Sequence, residues 1–460
     1  MIVFLMACGR EEKGIKIVFT GDVILDRGVN DELKLYGDSL LLNSFQHLSK
    51  PDFLFINLEG TLTGTGEIQK DRFNFKSNKE RAAILKKAGV SHVSIANNHI
   101  YDYGRLGYEN TMDALSENQL EILGNSAKPT IIQKGKCNCA VLSASLTNYN
   151  DSLAISNISQ LKSSVISFRE KSKKMPLILY IHWGLELQET PQKWQKKLAH
   201  DLIELGVDAI IGHHPHITQS IEYINGKPVF YSLGNFIADA YLPQTDLAYS
   251  VELEIKNGIE SVVLIPSRLK KYFPVGLQFK QQLLDVKKHI RYSNIALFKS
   301  KDKWLVKPNE AINFSESTDV WVIAEKNSIS TIKKINSKSY LLRFQKDGLN
   351  TNVINLHGKL SEFQIGDINN DNKTDVLVGI SKPVRFDPTI KKRINIYTCQ
   401  NNALQPLWLG TKFINAVESF DILKHDGLNY LTTIEVRNGV EKIKRIYEWD
   451  DFGFALTELN

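Results

Sequence analysis

A mostly apolar run that ends in clustered histidines is the feature that most constrains how this chain folds. Residues 207–211 predict a buried strand, and Gly212 is followed by His213, His214 and His216 within four positions. Side chains just past the carboxyl end of a strand face the crevice in which open α/β sheets bind ligands. The imidazoles are therefore candidate metal ligands, although His214 taken alone could equally point to solvent.

Four earlier strand-like runs, at residues 15–20, 53–56, 92–96 and 177–181, also end in polar side chains. Those side chains are, in order, Asp22, Glu59, Asn98 with His99, and His182. Helical patterns alternate with these strands at residues 33–42, 79–88, 111–119 and 193–204, which indicates an α/β layered domain. A single strand-end Asp or Asn is commonly a helix N-cap, and His182 alone could be a hydrogen-bonded core residue. Recurrence at five strand ends favours one shared site.

Carboxylate, amide and imidazole groups together suit manganese, iron or zinc better than copper. Glu59 could bridge two such ions, and a pair of ions can activate water and stabilise both oxygens of a phosphoryl-type displacement. His99 follows a predicted ligand, a position that suits proton donation or charge stabilisation. Asp102 lies where it could orient His99. We predict one or two divalent ions, with His99 and Asp102 as the catalytic residues.

Six short motifs occur in a fixed order over residues 15–240. They are Gly21-Asp22-Val23, Asn57-Leu58-Glu59-Gly60, Ala96-Asn97-Asn98-His99 with Asp102 and Gly104, His182-Trp183-Gly184, Gly212-His213-His214-Pro215-His216, and Tyr231-Ser232-Leu233-Gly234-Asn235-Phe236. In these motifs the chain resembles the CapA-type poly-γ-glutamate capsule biosynthesis proteins, a branch of the calcineurin-like metallophosphoesterase superfamily. The resemblance implies a four-layer α/β/β/α sandwich with a metal cleft at its edge.

The resemblance also implies a ligand set. One ion would take Asp22, Glu59 and His216, the other would take Glu59, Asn98, His182 and His213, and His99 would be the catalytic imidazole. The wider superfamily opens with Asp-x-His, whereas Ile24 stands at the third position here, so one ion lacks an imidazole ligand.

Two functions follow from this resemblance. The first is a metal-dependent hydrolase or transferase of the cell envelope that acts in synthesis, release or anchoring of an anionic polymer, with capsule synthesis or export proteins as partners. The second is a non-catalytic polymer-binding or scaffold protein with a degenerate metal site, which Ile24 favours. A metal assay with p-nitrophenyl phosphoesters, comparing the wild type with His182→Ala, separates the two.

The amino terminus suggests attachment to a membrane. Residues 1–8 form an apolar run that is too short to span a bilayer, and it resembles the end of a bacterial lipoprotein signal with Cys8 as the lipidated residue. This interpretation places the protein in the cell envelope, facing the periplasm or exterior; the alternative is an incidental apolar terminus. The net charge of +6 comes without a dominant basic block, which disfavours a nucleic-acid partner. The four cysteines include no CxxC pair, which favours isolated thiols.

From about residue 285 the pattern changes to short β runs in hairpins that repeat about every 50 residues, the range of propeller blades. We therefore predict a lipoprotein signal and linker at residues 1–14, a CapA-like domain at 15–284 and an all-β domain at 285–460. The all-β domain would be a small or incomplete β-propeller, although a β-sandwich would produce similar runs.

One loop of the second half has the spacing of a calcium site. Oxygen-bearing side chains recur at alternate positions in Asp367, Asn369 and Asp371, with Lys373 next in the series and Asp375 at its end. The loop resembles those of integrin-type propeller repeats and would have a stabilising role. The alternative is a set of Asx turns that holds no metal.

Overall fold

The computed structural model describes residues 14–48, 50–69, 73–147, 153–239, 242–277, 295–300, 303–308, 312–313, 318–325, 328–346, 349–384, 387–400, 403–410, 413–450 and 453–459. The chain divides into two compact units. The first comprises Met1–Gln188, Gln192–Ile217 and Ser232–Gly276, and the second comprises Glu189–Pro191, Thr218–Tyr231 and Leu277–Asn460. The predicted lipobox and the predicted boundary near residue 284 both lie outside the described residues.

The helices of the described chain are α1 (Gly28–Tyr36), α2 (Ser39–Asn43), α3 (Arg81–Lys87), α4 (Gly104–Glu117), α5 (Ile158–Lys171) and α6 (Lys193–Glu204). The strands up to residue 276 are β1 (Ile15–Val23), β2 (Phe53–Leu58), β3 (Thr61–Leu62), β4 (Lys76–Ser77), β5 (His92–Ser94), β6 (Glu121–Leu123), β7 (Thr130–Lys134), β8 (Cys137–Ser145), β9 (Leu177–His182), β10 (Ala209–His213), β11 (Ile221–Ile224), β12 (Lys227–Phe230), β13 (Asn235–Ile237), β14 (Leu247–Ile255), β15 (Ile259–Lys270) and β16 (Phe273–Gly276). None of these helices is long and apolar enough to cross a bilayer.

Two sheets form the first unit. One has the order β15-β14-β1-β2-β5-β6, in which β1, β2, β5 and β6 run parallel. The other contains β10-β9-β8-β7, in which β8, β9 and β10 run parallel. Parallel strands need crossover segments, and α5 and α6 are the crossovers that join β8 to β9 and β9 to β10. The carboxyl ends of five strands therefore gather at one edge of the unit.

The two sheets pack face to face, with helices outside. The rings of Phe19 in β1 and Tyr180 in β9 lie 5.4 Å apart, and the Tyr180 hydroxyl donates to the carbonyl of Thr20 at 2.7 Å. Apolar side chains of α1 to α4 share one buried core with β1, β2 and β5. On the other side, Lys162 of α5 and Asp201 of α6 form an ion pair. The predicted α/β class is confirmed, and the four-layer order stays a prediction.

The second unit is all β among its described residues. Besides the β11–β12 hairpin, its strands are β17 (Ile295–Ser300), β18 (Lys303–Pro308), β19 (Ile312–Asn313), β20 (Thr318–Glu325), β21 (Ser328–Asn336), β22 (Ser339–Lys346), β23 (Leu349–His357), β24 (Lys359–Gly366), β25 (Asp375–Val384), β26 (Asp387–Gln400), β27 (Ala403–Leu409), β28 (Ala416–His425), β29 (Leu428–Arg437), β30 (Glu441–Asp450) and β31 (Gly453–Thr457). Three antiparallel meanders, β20–β23, β24–β27 and β28–β31, follow one another.

The middle meander contributes buried side chains to two cores. It shares one core with the first meander, around Trp321 and Phe363, and the other with the third, around Ile396 and Phe420. An all-β second half is therefore present, with the repeated hairpins that the sequence indicates. The propeller itself stays a prediction.

Several predicted elements differ from the structure. The helix predicted over residues 33–42 is wrong, because Gly37 adopts a φ of 82° and separates α1 from α2. Helix α4 begins at Gly104 instead of residue 111. The sequence pattern did not indicate α5 or the strands β14 to β16. Cys137, Cys139 and Cys399 are free thiols.

Candidate metal centre

Asp22 reaches the centre through an irregularity in β1. The register of β1 shifts on both sides of Asp22, against β2 and against β13. Gly21 permits this close approach, since a Cβ there would lie 1.8 Å from the carbonyl oxygen of Gly234. The Asp22 carboxylate is fully buried and accepts hydrogen bonds from the Asn57 amide at 2.8 Å and from the backbone N–H of His214 at 3.1 Å.

Glu59 follows β2 and has a buried carboxylate, neither oxygen of which accepts a hydrogen bond. Burying an ionised carboxylate without a partner is costly. Its neighbours are three imidazoles, since Oε1 of Glu59 lies 3.7 Å from a ring nitrogen of each of His99, His182 and His216. A cation between these groups would satisfy both the carboxylate and the imidazole lone pairs, so the residues present fit a divalent metal.

Two asparagines of the signature motifs build the frame around the carboxylates. Asn97 donates to the side chain of Asn57 at 3.2 Å and to the carbonyl of Leu58 at 2.8 Å, and its own carbonyl accepts from the backbone N–H of His99 at 3.0 Å. Sequence reasoning did not assign either asparagine a role. Their place one or two residues before a predicted ligand in the same motif is the signal that could have found them.

His182 ends β9 and contacts both Asn98 and His213. Its Nε2 lies 2.6 Å from Oδ1 of Asn98, and its Nδ1 lies 2.7 Å from Nδ1 of His213. The side chain is fully buried. The structure therefore brings Asn98, His182 and His213 together.

The loop after β10 turns two further imidazoles inward. His214 has a φ of 99° and His216 a φ of 59°, both unusual for residues with a side chain. His214 is 2% exposed and its Nδ1 has no hydrogen-bond partner, so the interpretation that it points to solvent is wrong. Nδ1–H of His216 donates to Oδ1 of Asn235 at 2.9 Å.

Four groups of three side chains have ligand atoms within 4.8 Å of one another, among the residues that the structure describes. The groups are Asp22, His182 and His213; Glu59, His182 and His214; Glu186, His214 and His216; and Asp22, Glu59 and His216. Neighbouring groups share a residue, since each of five side chains occurs in two groups: Asp22, Glu59, His182, His214 and His216. All predicted metal-ligating side chains lie in this region, and His214 and Glu186 join them.

His99 and Asp102 form a hydrogen-bonded pair beside the candidate metal ligands. Nδ1 of His99 lies 2.7 Å from Oδ2 of Asp102, and the same carboxylate oxygen accepts from the backbone N–H of Phe75 at 2.8 Å. The Phe75 ring packs against the imidazole with ring centroids 4.4 Å apart. The carboxylate therefore fixes the ring orientation of His99, and Nε2 of His99 faces Glu59.

Burial controls the charge of the imidazoles. It holds the pKa of His182 well below the ordinary histidine value and lowers the pKa of His213, while it lowers the pKa of His214 to about 3. Neighbouring imidazoles add to the effect at His182 and His214. These rings are therefore neutral near pH 7, which is the state that a metal ligand requires.

The carboxylates and His216 behave as one charged cluster. Burial raises the pKa of Glu59 well above its usual range, and the charge of Asp22 adds to this although His216 opposes it. Burial also acts to raise the pKa of Asp22, but contacts with His213 and His216 outweigh it and leave the pKa well below the usual value. At His216 burial lowers the pKa, but Glu59 and Asp22 outweigh it and raise the pKa to about 10. A divalent cation can take the place of that proton.

In the Asp-rich loop of the second unit, Asp367 and Asp371 accept hydrogen bonds from the loop itself, whereas Oδ1 of Asp375 has no hydrogen-bond partner. Asp367 accepts from the backbone N–H groups of Asp371 and Asn372, and Asp371 accepts from the backbone and ammonium of Lys373. Asp375 is buried and accepts from the backbone N–H of residue 368 at 3.1 Å. Asn369 lies beside Asp371 within the same turn. These contacts are those of Asx turns, and calcium binding stays a prediction.

The fold and its edge site define an α/β protein with a candidate divalent-metal centre. Residues 16–240 match the sequence model of the family described as "Bacterial capsule synthesis protein PGA_cap". The predicted resemblance to CapA-type proteins is therefore confirmed.

Two relatives match more than half of the chain. "Capsule biosynthesis protein CapA" of Bacillus anthracis is 26% identical over 292 residues, which cover 58% of this chain and 70% of the relative. "PGA biosynthesis protein CapA" of Bacillus subtilis (strain 168) is 26% identical over 278 residues, which cover 56% and 73%. A solved structure titled a novel phosphatase, from Mycoplasma pneumoniae, is 14% identical over 57% of this chain and 91% of its own, with a TM-score of 0.32. A TM-score below 0.5 does not establish a shared fold.

Proposed function

We propose that this protein is a metal-dependent hydrolase or transferase that acts in the synthesis, release or anchoring of an anionic capsule polymer such as poly-γ-glutamate. The match to the capsule synthesis family and the names of the relatives support the capsule role. The observation that carries the enzymatic part is the Glu59 carboxylate, which is buried among imidazoles with no hydrogen-bond donor. A cation resolves this otherwise costly arrangement.

Two ion positions account for the geometry. Asp22, Glu59 and His216 would hold one ion, and Glu59, His182 and His214 with the Asn98 oxygen would hold the other. This assignment differs from the one implied by the resemblance, in which His213 takes the place of His214. His213 contacts Nδ1 of His182, on the side of the ring away from Asn98. We therefore propose that His213 orients the His182 ring. A hydrogen bond to the nitrogen that does not bind metal fixes the direction of a ligating imidazole.

Manganese, iron or zinc suits this mixture of donors, and two such ions would activate water and stabilise the attacking and leaving oxygens. The chain's own residues supply the rest. In its imidazolium form His99 donates Nδ1–H to Asp102 and holds its second proton at Nε2, which faces Glu59, from where that proton can be given to a leaving group. Loss of the Nε2 proton leaves a neutral ring that still donates Nδ1–H to Asp102. The buried walls around Glu59 exclude bulk water and strengthen each of these contacts.

The test combines metal content with activity. We expect the purified full chain to retain about two divalent ions and to hydrolyse a p-nitrophenyl phosphomonoester or phosphodiester, or a γ-glutamyl polymer. His182→Ala removes a ligand of one proposed position, so metal content and activity should fall together. His200→Ala changes a helical histidine outside all four ligand groups and is the matched control. A wild-type protein that binds no divalent ion and turns over none of these substrates would refute the proposal.

A scaffold function is the second candidate, because Ile24 stands where the wider superfamily has an imidazole. Ile24 is 6% exposed and packs with Phe75, Ala238 and Leu269, so it contributes nothing to ion binding. A protein that binds poly-γ-glutamate and metal but leaves every substrate intact would favour this function. Binding of the polymer to the His182→Ala variant separates a structural role of the metal from a catalytic one.

Location and partners complete the proposal. A lipid anchor at Cys8 would hold the protein in the cell envelope, facing the periplasm or exterior, with capsule synthesis or export proteins as partners and no nucleic acid. A propeller in the second half, with calcium in the loop from Asp367 to Asp375, would offer a binding surface for such partners. Labelling with radioactive palmitate in wild type and Cys8→Ala tests the anchor directly.

A further inference from the structure

Glu186 is a carboxylate that neither the sequence motifs nor the resemblance assigns to the centre. It lies four residues after His182, in an exposed stretch between Leu185 and Leu187. Its carboxylate oxygen lies within 4.8 Å of ring nitrogens of both His214 and His216. Glu186 itself is exposed. The neighbouring His214, by contrast, is 2% exposed and its Nδ1 has no hydrogen-bond partner.

The backbone around Glu186 is held against the histidine loop at both ends. The N–H of Trp183 donates to the carbonyl of His213 at 3.1 Å, and the N–H of Leu187 donates to the carbonyl of Pro215 at 2.9 Å. Leu187 adopts a φ of 58°, which turns the chain back at this point. The segment that carries Glu186 is therefore fastened beside the loop that carries His214 and His216.

The same region lacks one ligand. The proposed position at Asp22, Glu59 and His216 has three protein donors, and the side chain of Ile24 is buried in an apolar cluster. Mn²⁺, Fe²⁺ and Zn²⁺ accept carboxylate oxygen as well as imidazole nitrogen. Glu186 shares His216 with this position and reaches it from the exposed side.

We propose that Glu186 is a further ligand of the metal centre, supplying to the ion at His216 a donor that residue 24 cannot provide. This inference rests on the proposed function, because it requires that the centre binds metal. The segment at the end of β9 would then supply two ligands. His182 is the last residue of the strand, and Glu186 lies in the loop that follows it.

The test measures Mn²⁺ binding to the full chain by isothermal titration calorimetry after removal of metal with a chelator. We expect the wild type to bind two ions. Glu186→Gln keeps the size of the side chain but removes its charge. It should lower the affinity for one of the two ions by about 10- to 100-fold, which is the usual loss when a residue that supports a metal site is replaced. Glu204→Gln changes an exposed carboxylate at the end of α6 and should bind as the wild type does.

Salt separates ligation from a general effect of charge. Screening at 1 M salt shortens the reach of exposed charges to about 3 Å, so a defect that comes from direct ligation persists there. The inference is overturned if Glu186→Gln binds both ions as the wild type does, or if its defect disappears at 1 M salt. A wild type that binds no Mn²⁺ at all refutes the proposed function itself, which distinguishes the two failures.

Discussion

At the scale of single residues, the centre separates ligands from the group that would move a proton. His99 lies beside Asn98 in sequence, yet its Nδ1 is engaged by Asp102 while Asn98 faces His182. His99 is also absent from all four groups of metal-ligand geometry among the described residues. Its replacement should therefore affect turnover without emptying the centre.

The first prediction concerns this separation. We expect His99→Gln to lower kcat by about 10²- to 10⁴-fold, the usual contribution of a general acid or base, with no change in bound metal. Asp102→Asn keeps an acceptor or donor at the same place but loses the fixed charge, so its loss should be smaller, about 10- to 100-fold. Steady-state hydrolysis and elemental analysis of the same samples provide the measurement. Loss of metal from His99→Gln would show that the imidazole is a ligand instead.

At the scale of elements, local chemistry predicted turns better than helix ends. Asn225 and Gly226 have φ values of 50° and 73°, the pattern of a type I′ hairpin, and they join β11 to β12 as the sequence indicates. The prediction of one helix over residues 33–42 was wrong because the residues on both sides of Gly37 favour a helix, while Gly37 itself has a positive φ. Strands β14 to β16 form successive hairpins, but β14 joins the sheet by pairing with the distant β1, and no local pattern records that pairing.

The second prediction uses the hairpin. A Cβ at Gly226 would meet no atom within 4 Å, so the cost of Gly226→Ala is the positive φ alone. We expect a loss of about 1 kcal/mol in the free energy of unfolding, the cost of a left-handed conformation for a residue with a side chain. Gly258→Ala is the control, since a Cβ there is also unobstructed and its φ is not positive. Urea unfolding of the full chain compares the two, and equal effects would contradict the argument.

The third prediction concerns the loop that ends at Asp375. Burial raises the pKa of Asp375 to about 7, against an ordinary value of 3.8. The folded chain therefore holds a proton that the unfolded chain has released between about pH 4 and pH 7, and stability falls as the pH rises through that window. Asp375→Asn still accepts from the backbone N–H of residue 368, and we expect it to lose less stability between pH 4.5 and 7.5 than the wild type.

Calcium gives the same measurement a second use. If the loop binds the ion, millimolar Ca²⁺ at pH 7.5 stabilises the wild type and not Asp375→Asn, because the ion replaces the proton on the buried carboxylate. If the Asx turns alone hold the loop, Ca²⁺ changes neither protein. Identical pH dependence in both proteins without Ca²⁺ would contradict the assigned pKa of Asp375.

At the scale of the whole molecule, the sequence predicted most residues of the candidate centre but not how they divide between the two proposed ion positions. Recurrence of polar residues at five strand ends was sufficient to bring Asp22, Glu59, Asn98 and His182 together, because parallel strands share one edge. The choice between His213 and His214 depends on a φ of 99° at His214, which is a property of the folded turn. Glu186 was missed because it lies on a loop, where no periodicity marks the direction of a side chain.

The two compact units allow a last prediction, which treats metal as a stability probe. Each unit has buried cores of its own, so we expect two transitions in thermal unfolding of the full chain. Ions that bind only the folded state stabilise it by about 2.7 kcal/mol at a hundredfold excess over Kd. Mn²⁺ should therefore raise one transition, and His182→Ala, which removes a ligand of one of the two proposed positions, should reduce that shift while it leaves the other transition unchanged. Since His182 lies in the first unit and the Asp-rich loop in the second, a Ca²⁺ shift, where present, must appear in the transition that Mn²⁺ does not move. A Mn²⁺ shift of full size in His182→Ala would place the ion outside the proposed centre.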